Sequence, residues 1–232
     1  MREEDLDPIK VATFFNSLDS RCLPLIAPHG FRGHAVLRIL ASHKEVWWDS
    51  SIMNWDKKPN YPPLCYPKEG SWVDTRLDRN KRINYVTAHT SMYNPRSFSK
   101  YPLQHVIDYY NKQGTLQSFI YCTLDFIYHM SRPCVWLYTS DMHAIVKQRY
   151  LLFKKDYIRH PNEYAKDRLK LIRNPHSKAF NIDIYKLFST NDDIFESEYM
   201  NIVNHFNFTS NINDVRSFML TYLEREQSVS IL

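Results

Sequence analysis

Glycine and long apolar runs are scarce in this chain of 232 residues, and each shortage excludes a class of protein. Only four glycines accompany twelve prolines, which excludes collagen-like and Gly-rich linker architectures. The longest apolar run, 116–130, includes Asp125 and His129 and is shorter than the roughly 20 residues that cross a bilayer. We therefore predict that this run is a core helix of a globular protein.

Paired cysteines and an apolar or Arg-rich leader are also lacking. Cys22, Cys65, Cys122 and Cys134 are widely spaced, with no CxxC pair, which indicates reduced thiols rather than a disulfide framework. The ten histidines form no HExxH pattern or other zinc-ligand spacing, so no metal site is expected. The acidic first residues are unlike a signal or transit peptide. These features predict a cytoplasmic protein with no membrane partner.

The positive charge balance favours an anionic ligand but does not identify it. The formal net charge is +5 and the isoelectric point is near 8.9, short of the concentrated basic stripe of a nucleic-acid binder. Lysines and arginines recur between 147 and 173, but acidic residues intervene, as on a solvated helix face. Nucleic acid is therefore not an expected partner.

Apolar strand patterns alternate with helical patterns along the chain. The strand patterns cover 22–28, 83–89, 133–139 and 178–188, and helical patterns lie between them and fill 192–227. This alternation is typical of a parallel sheet covered by helices on both faces. We predict one α/β domain over 1–232, with three αβα layers and a central, mostly parallel sheet.

The loop after the first strand pattern, PHGFRGHAVL, is the first candidate binding site. Ligands of parallel α/β sheets lie beyond the carboxyl ends of the strands, where a helix N-terminus presents free N–H groups to an anion. Gly30 and Gly33 permit close backbone approach, and Arg32 can donate charge-assisted hydrogen bonds. The pattern GxxxxGK[ST] is absent, which disfavours ATP hydrolysis. An ordinary strand-to-helix turn is the alternative.

The segment LPLIAPHGFRGHAVLRILASHKEVWWD resembles the opening segment of sulfotransferases. That resemblance implies a P-loop-like fold in which the loop holds the 5′-phosphosulfate of 3′-phosphoadenosine 5′-phosphosulfate. Phe31 stands where the family has Lys or Arg, Arg32 at its Ser, and His34 and Ala35 at its paired Thr. Arg32 or His29 would then supply the positive charge. The implied donor-binding residues of this loop are His29, Gly30, Phe31, Arg32, Gly33, His34 and Ala35.

Two further segments resemble the same family. NYVTAHTSMYNP is similar to the strand that ends in Lys-Thr-His, which implies that His89 takes the proton of the acceptor while Arg32 stabilises developing charge. A near-neutral imidazole suits that role. VWLYTSDMHAIVKQRYL resembles the unit that binds the donor's 3′-phosphate, with Tyr138 in place of an Arg, followed by Thr139 and Ser140.

Aromatic residues suggest where an acceptor would bind. Trp47, Trp48 and Trp55 lie in an aperiodic Pro-rich stretch, and Tyr93 follows the His89 phrase. Aromatic faces stack on sugars and flat acceptors, although core packing explains them equally well.

Two functions stay open from the sequence. The first is sulfuryl transfer to a hydroxyl or amine of a small molecule or glycan. The second is a sulfotransferase-like protein that has lost catalysis and serves as a nucleotide-binding, glycan-binding or interaction protein.

Overall fold

The computed structural model of the protein describes residues 16–27, 31–46, 116–122, 132–148 and 170–229. The strands in these ranges are β1 (Cys22–Ile26), β2 (Ser118–Cys122), β3 (Val135–Tyr138) and β4 (Phe180–Asp183). The helices are α1 (Gly33–Ala41), α2 (Met142–Gln148), α3 (Ile184–Leu187), α4 (Asp192–Phe206) and α5 (Ile212–Val229). Strands and helices alternate, which confirms the α/β class.

The four strands form one parallel sheet in the order β2-β1-β3-β4. Cys22 lies opposite Ser118, Leu25 opposite Val135, and Tyr138 opposite Asp183. The chain adds β2 on one side of β1 and then crosses to add β3 on the other side. This reversal places a topological switch point, where parallel sheets open a crevice for ligands, between the carboxyl ends of β1 and β3.

The first strand and helix form where the sequence predicts them. β1 is buried along most of its length, as expected of a parallel strand covered on both faces. α1 begins at Gly33 and packs Val36, Ile39 and Leu40 into the core. This unit brings the end of β1 to the start of α1.

The predicted core helix over 116–130 is wrong at 118–122, where the chain forms β2. A short apolar segment carries too few periods to separate a helix from a strand. All five residues of β2 pair with β1, and this pairing between distant segments determines the structure. Residues 123–130 lie outside the described ranges.

Side-chain caps define the helices that follow β4. Asp183 caps α3 by accepting from the Tyr185 N–H, and Asn191 caps α4 by accepting from the Ile194 N–H. α5 begins at Ile212, and the Val215 N–H donates to the Asn211 carbonyl. The sequence offers Asn213 and Asp214 as candidate caps of this helix, but both residues lie inside its first turn.

His43, just after α1, contacts the loop between α4 and α5. It is buried, its ring stacks on Phe208 at 4.5 Å between centroids, and its Nδ1–H donates to the Thr209 carbonyl at 3.0 Å. Burial lowers the pKa of this imidazole. The histidine in the phrase LRILASHKEV therefore serves packing in this structure.

The core between the sheet and its helices contains Trp136, Leu25, Phe195 and Tyr199, each almost fully buried. Cys22 and Cys134 are buried and form no disulfide, in agreement with the prediction of reduced thiols. Burial raises the pKa of Cys134 to about 11, which keeps this thiol protonated. Among the described helices, none combines the length and apolar character that a membrane span requires.

Candidate ligand site at the carboxyl edge of the sheet

The carboxyl ends of β1, β3 and β4 share one edge of the sheet. Arg32 and Gly33 follow β1, Thr139 and Ser140 follow β3, and Asp183 ends β4. The Ser140 N–H donates to Asp183 Oδ1 at 3.2 Å, which joins the last two strand ends. Arg32 and Gly33 form what we name the β1 end of the site, and Thr139, Ser140 and Asp183 form its β3–β4 end.

Arg32 has an unusual backbone and a buried side chain. Its φ of 56° and ψ of 17° lie in the left-handed region, which is sparsely occupied by residues other than Gly, Asn and Asp. The side chain is 3% exposed, and its guanidinium carbon lies 4.7 Å from the centre of the Phe188 ring. This cation–π contact places a positive charge beside the start of α1.

The first turn of α1 has backbone N–H groups that helix geometry leaves without a partner inside the helix. The Val36 N–H already donates to the Arg32 carbonyl at 3.0 Å, so the groups concerned are those of Gly33, His34 and Ala35. The Arg32 side chain makes no capping hydrogen bond, and the first turn has no acidic residue. These N–H groups and the helix dipole favour an anion.

Phe31 and Ala35 are named in the donor loop by the sequence resemblance, and the structure places both side chains in the core. Phe31 is fully buried. These two residues can therefore contribute backbone to a ligand site, while their side chains pack the sheet against α1.

At the β3–β4 end, the backbone N–H groups are used within the protein. The Thr139 N–H donates to the Ile172 carbonyl at 2.9 Å, and the Asp141 N–H donates to Thr139 Oγ1 at 3.2 Å. Asp141 Oδ1 accepts from the Ala144 N–H at 2.8 Å and caps α2. Ser140 is exposed and Tyr138 is partly exposed.

Asp183 is a buried carboxylate that sequence reasoning did not select. It is 0% exposed, and its Oδ1 accepts from the N–H groups of Ser140 and Tyr185. Its Oδ2 is also buried and accepts no hydrogen bond from the part of the chain that the structure describes. The available sequence signal was an acidic residue at the end of an apolar strand.

Glu198 on α4 lies against Asp183. Its Oε1 accepts from the Asp183 N–H at 2.8 Å. Burial raises the pKa of Glu198, and the nearby Asp183 carboxylate acts in the same direction. Burial also raises the pKa of the Tyr138 hydroxyl, together with both carboxylates. The β3–β4 end is therefore rich in acceptors, whereas the β1 end is rich in donors.

Replacing Glu198 with Gln is expected to stabilise the protein more at pH 8 than at pH 4. A carboxyl whose pKa is raised by folding stabilises the fold below its unfolded pKa, and this contribution is lost as pH rises towards the folded pKa. Gln keeps the acceptor for the Asp183 N–H but does not titrate. The neighbouring groups of Asp183, Tyr138 and Lys186 are the same in wild type and in Glu198→Gln.

Urea unfolding of both proteins across this pH range measures the difference. Glu196→Gln, on the same helix but exposed, is the matched control and should show little pH-dependent gain. A stability difference between wild type and Glu198→Gln that does not change with pH would contradict a raised pKa of Glu198 in the folded protein.

Several predicted site residues lie outside the described residues. They are the proposed base and the aromatic and loop positions, namely His89, Trp47, Trp48, Trp55, Tyr93, His29 and Gly30. The side chain of His34 is likewise not described. Of the predicted site residues that are described, Arg32 and Gly33 follow β1, and Thr139 and Ser140 follow the adjacent parallel strand β3, at the same edge of the sheet.

Comparison with known proteins adds no family to these observations. No protein-family model matches the chain, and neither a curated protein nor a solved structure is significantly similar to it. Within the described ranges, no three His, Cys, Asp or Glu side chains are grouped as a metal ion would require. The function must therefore be inferred from the residues at the carboxyl edge.

Proposed function

We propose that this chain is a divergent sulfotransferase-like enzyme that transfers a sulfuryl group from a sulfonucleotide to a hydroxyl or amine acceptor, such as a carbohydrate. In the family it resembles, the donor is 3′-phosphoadenosine 5′-phosphosulfate. The observation that carries the proposal is the first turn of α1, which receives no side-chain cap from Arg32 and has no acidic residue, at the switch point of a parallel sheet. The three-layer sulfotransferase architecture is part of the same proposal.

The donor supplies an activated sulfur whose bond to the 5′-phosphate oxygen breaks as the acceptor oxygen bonds to sulfur. The N–H groups of Gly33 and Ala35 would bind the phosphosulfate, with Arg32 stabilising charge as the leaving phosphate forms. His89 would hold the acceptor's proton on its imidazole. Trp47, Trp48, Trp55 and Tyr93 would bind the acceptor through their aromatic faces.

Binding without catalysis is the second candidate, and the surroundings of Arg32 favour it. The guanidinium lies over Phe188 and is nearly buried, so part of its capacity to contact a ligand is used within the fold. Phe31 fills the core where the resemblance would place a cation. A nucleotide-binding or glycan-binding protein could keep the α1 site without transferring a group.

Replacing Arg32 with Gln is expected to weaken nucleotide binding about tenfold, the effect of losing one charge-assisted interaction. Calorimetric titration with adenosine 5′-phosphate and 3′-phosphoadenosine 5′-phosphate measures it, because both carry the 5′-phosphate. The variant also loses a cation–π contact, so its stability must be measured in parallel.

Arg216→Gln is the matched control. Arg216 also lies over an aromatic ring, that of Phe195, at 4.8 Å, but it bonds to the Ser189 and Thr190 carbonyls. It should lose stability and keep nucleotide affinity. Equal weakening in both variants would show that Arg32 acts through the fold, and no binding of either nucleotide to wild type would refute the proposed function.

A further inference from the structure

We infer that residues 170–178, which we name the basic segment, bind an acidic oligosaccharide. The juxtaposition that supports this is a stretch of chain held against β3 at two points, with an exposed Arg173 beside the first point and an exposed Lys178 near the second. The inference goes beyond the proposed function, because it requires neither a nucleotide nor a transfer reaction.

The basic segment runs along β3 from the carboxyl end of the strand to its amino end. Just after β3, the Thr139 N–H donates to the Ile172 carbonyl at 2.9 Å. Just before β3, the Cys134 carbonyl accepts from the Phe180 N–H at 2.9 Å. Thr139 and Cys134 are separated by the length of the strand, about 16 Å. Arg173 follows the first of these points and Lys178 precedes the second, so the two cations are spread along that length.

The backbone of the basic segment is fixed by the fold. The Trp136 Nε1–H donates to the Asn174 carbonyl at 3.1 Å, and Ile172 is buried. The Asn181 side chain accepts from the His176 N–H and donates to the His176 carbonyl at 3.0 Å. A ligand that binds here therefore orders exposed side chains but not the backbone, which lowers the entropic cost of binding.

The charge exposed on the basic segment has one sign. Lys170, Arg173 and Lys178 are exposed, and no acidic residue occurs in the segment. Arg173 and Lys178 form no salt bridge with the residues that the structure describes. Asp141, which lies beyond the carboxyl end of β3, is engaged as the cap of α2. Cations spread over about 16 Å favour a ligand with several anionic groups, because a small anion contacts only one of them.

The other side chains of the basic segment favour a carbohydrate over a nucleic acid. Asn174 and Ser177 are exposed, and amide and hydroxyl groups form hydrogen bonds with sugar hydroxyls. Single-stranded nucleic acids bind to aromatic side chains on which their bases stack, whereas the segment contains no Phe, Tyr or Trp. The His176 ring packs beside Trp136, at 5.7 Å between centroids, and is half-buried. The chemistry therefore fits an oligosaccharide that carries sulfate or carboxylate groups.

Calorimetric titration with a heparin octasaccharide, a heparin disaccharide and neutral maltooctaose tests the inference. We expect the octasaccharide to bind, with an affinity that falls as salt concentration rises. The disaccharide and maltooctaose should bind about tenfold more weakly or less, because they lack the length or the charge to engage both cations. The double variant Arg173→Gln, Lys178→Gln should bind the octasaccharide about tenfold more weakly, with a log–log salt slope smaller by about 2.

The double variant Lys44→Gln, Lys186→Gln is the matched control. It removes the same net charge at two exposed positions outside the basic segment, and it should change the affinity about twofold or less. Equal weakening in the two double variants would overturn the inference, as would an octasaccharide that does not bind to wild type.

Single-stranded oligo(dT) with the same number of charges separates the two classes of polyanion. We expect it to bind more weakly than the heparin octasaccharide, and equal or tighter binding would overturn the inference in favour of a nucleic acid. The saccharide titrations contain no adenosine nucleotide. Their failure therefore leaves the proposed function intact, and failure of the nucleotide titrations leaves this inference intact.

Discussion

Replacing Trp136 with Ala is expected to destabilise the protein by about 3–5 kcal/mol, the usual effect of truncating a large buried aromatic side chain. Trp136 lies on β3, between β1 and β4, and is 1% exposed. Its Nε1–H donates to the Asn174 carbonyl at 3.1 Å. The substitution therefore leaves a cavity beside the sheet and removes the donor of a side-chain hydrogen bond.

Denaturant unfolding of wild type and Trp136→Ala measures this loss. Leu220→Ala on α5 is the control, because Leu220 is 38% exposed, and exposed substitutions usually change stability by about 0.5 kcal/mol or less. Trp136→Phe tests the cavity separately, since it restores much of the volume. A loss near that of the control would contradict the central position of β3 in the core.

Replacing His89 with Ala is expected to lower sulfuryl transfer about 10²–10⁴-fold, the contribution of a general base. Nucleotide affinity should change little, because the donor is proposed to bind at α1. The measurement is release of 3′-phosphoadenosine 5′-phosphate from the sulfated donor in the presence of carbohydrate and phenol acceptors. The prediction rests on the sequence resemblance alone, since His89 lies outside the described residues.

His205→Ala is the control for this experiment. His205 is exposed and stacks on Phe180 at the amino end of β4, which is the opposite edge of the sheet from the site. It should leave transfer unchanged. If His89→Ala loses stability and nucleotide binding as much as activity, His89 has a structural role and is not the base.

The elements that sequence patterns predict correctly are those with strong local signals. β1, β3 and the start of α1 combine buried apolar runs with turn residues, and Asp141 marks the start of α2 with a cap. β2 lacks such a signal, because SFIYC fits both a helix and a strand. Its pairing with β1 joins residues far apart in sequence, which local patterns do not encode.

The candidate site also contains residues that the local sequence indicates and residues that it does not. Arg32 and Gly33 are predictable because they lie in a glycine-containing turn between a strand and a helix. Asp183 is not, because its environment comes from Ser140 and from Glu198, which lie 43 and 15 residues away. Burial of a carboxylate depends on which segments cover it, and that is a property of the assembled sheet. The acceptor-rich character of the β3–β4 end becomes visible only in the structure.

The central claim is that a nucleotide's anionic group binds the first turn of α1. Amide hydrogen exchange, read residue by residue by NMR with and without saturating adenosine 5′-phosphate, tests it most directly. We expect exchange at Gly33 and Ala35 to slow on binding, because their N–H groups then donate to the phosphate. Amides in the middle of α5 should be unaffected. Nucleotide binding that protects other amides and leaves Gly33 and Ala35 unchanged would contradict the claim.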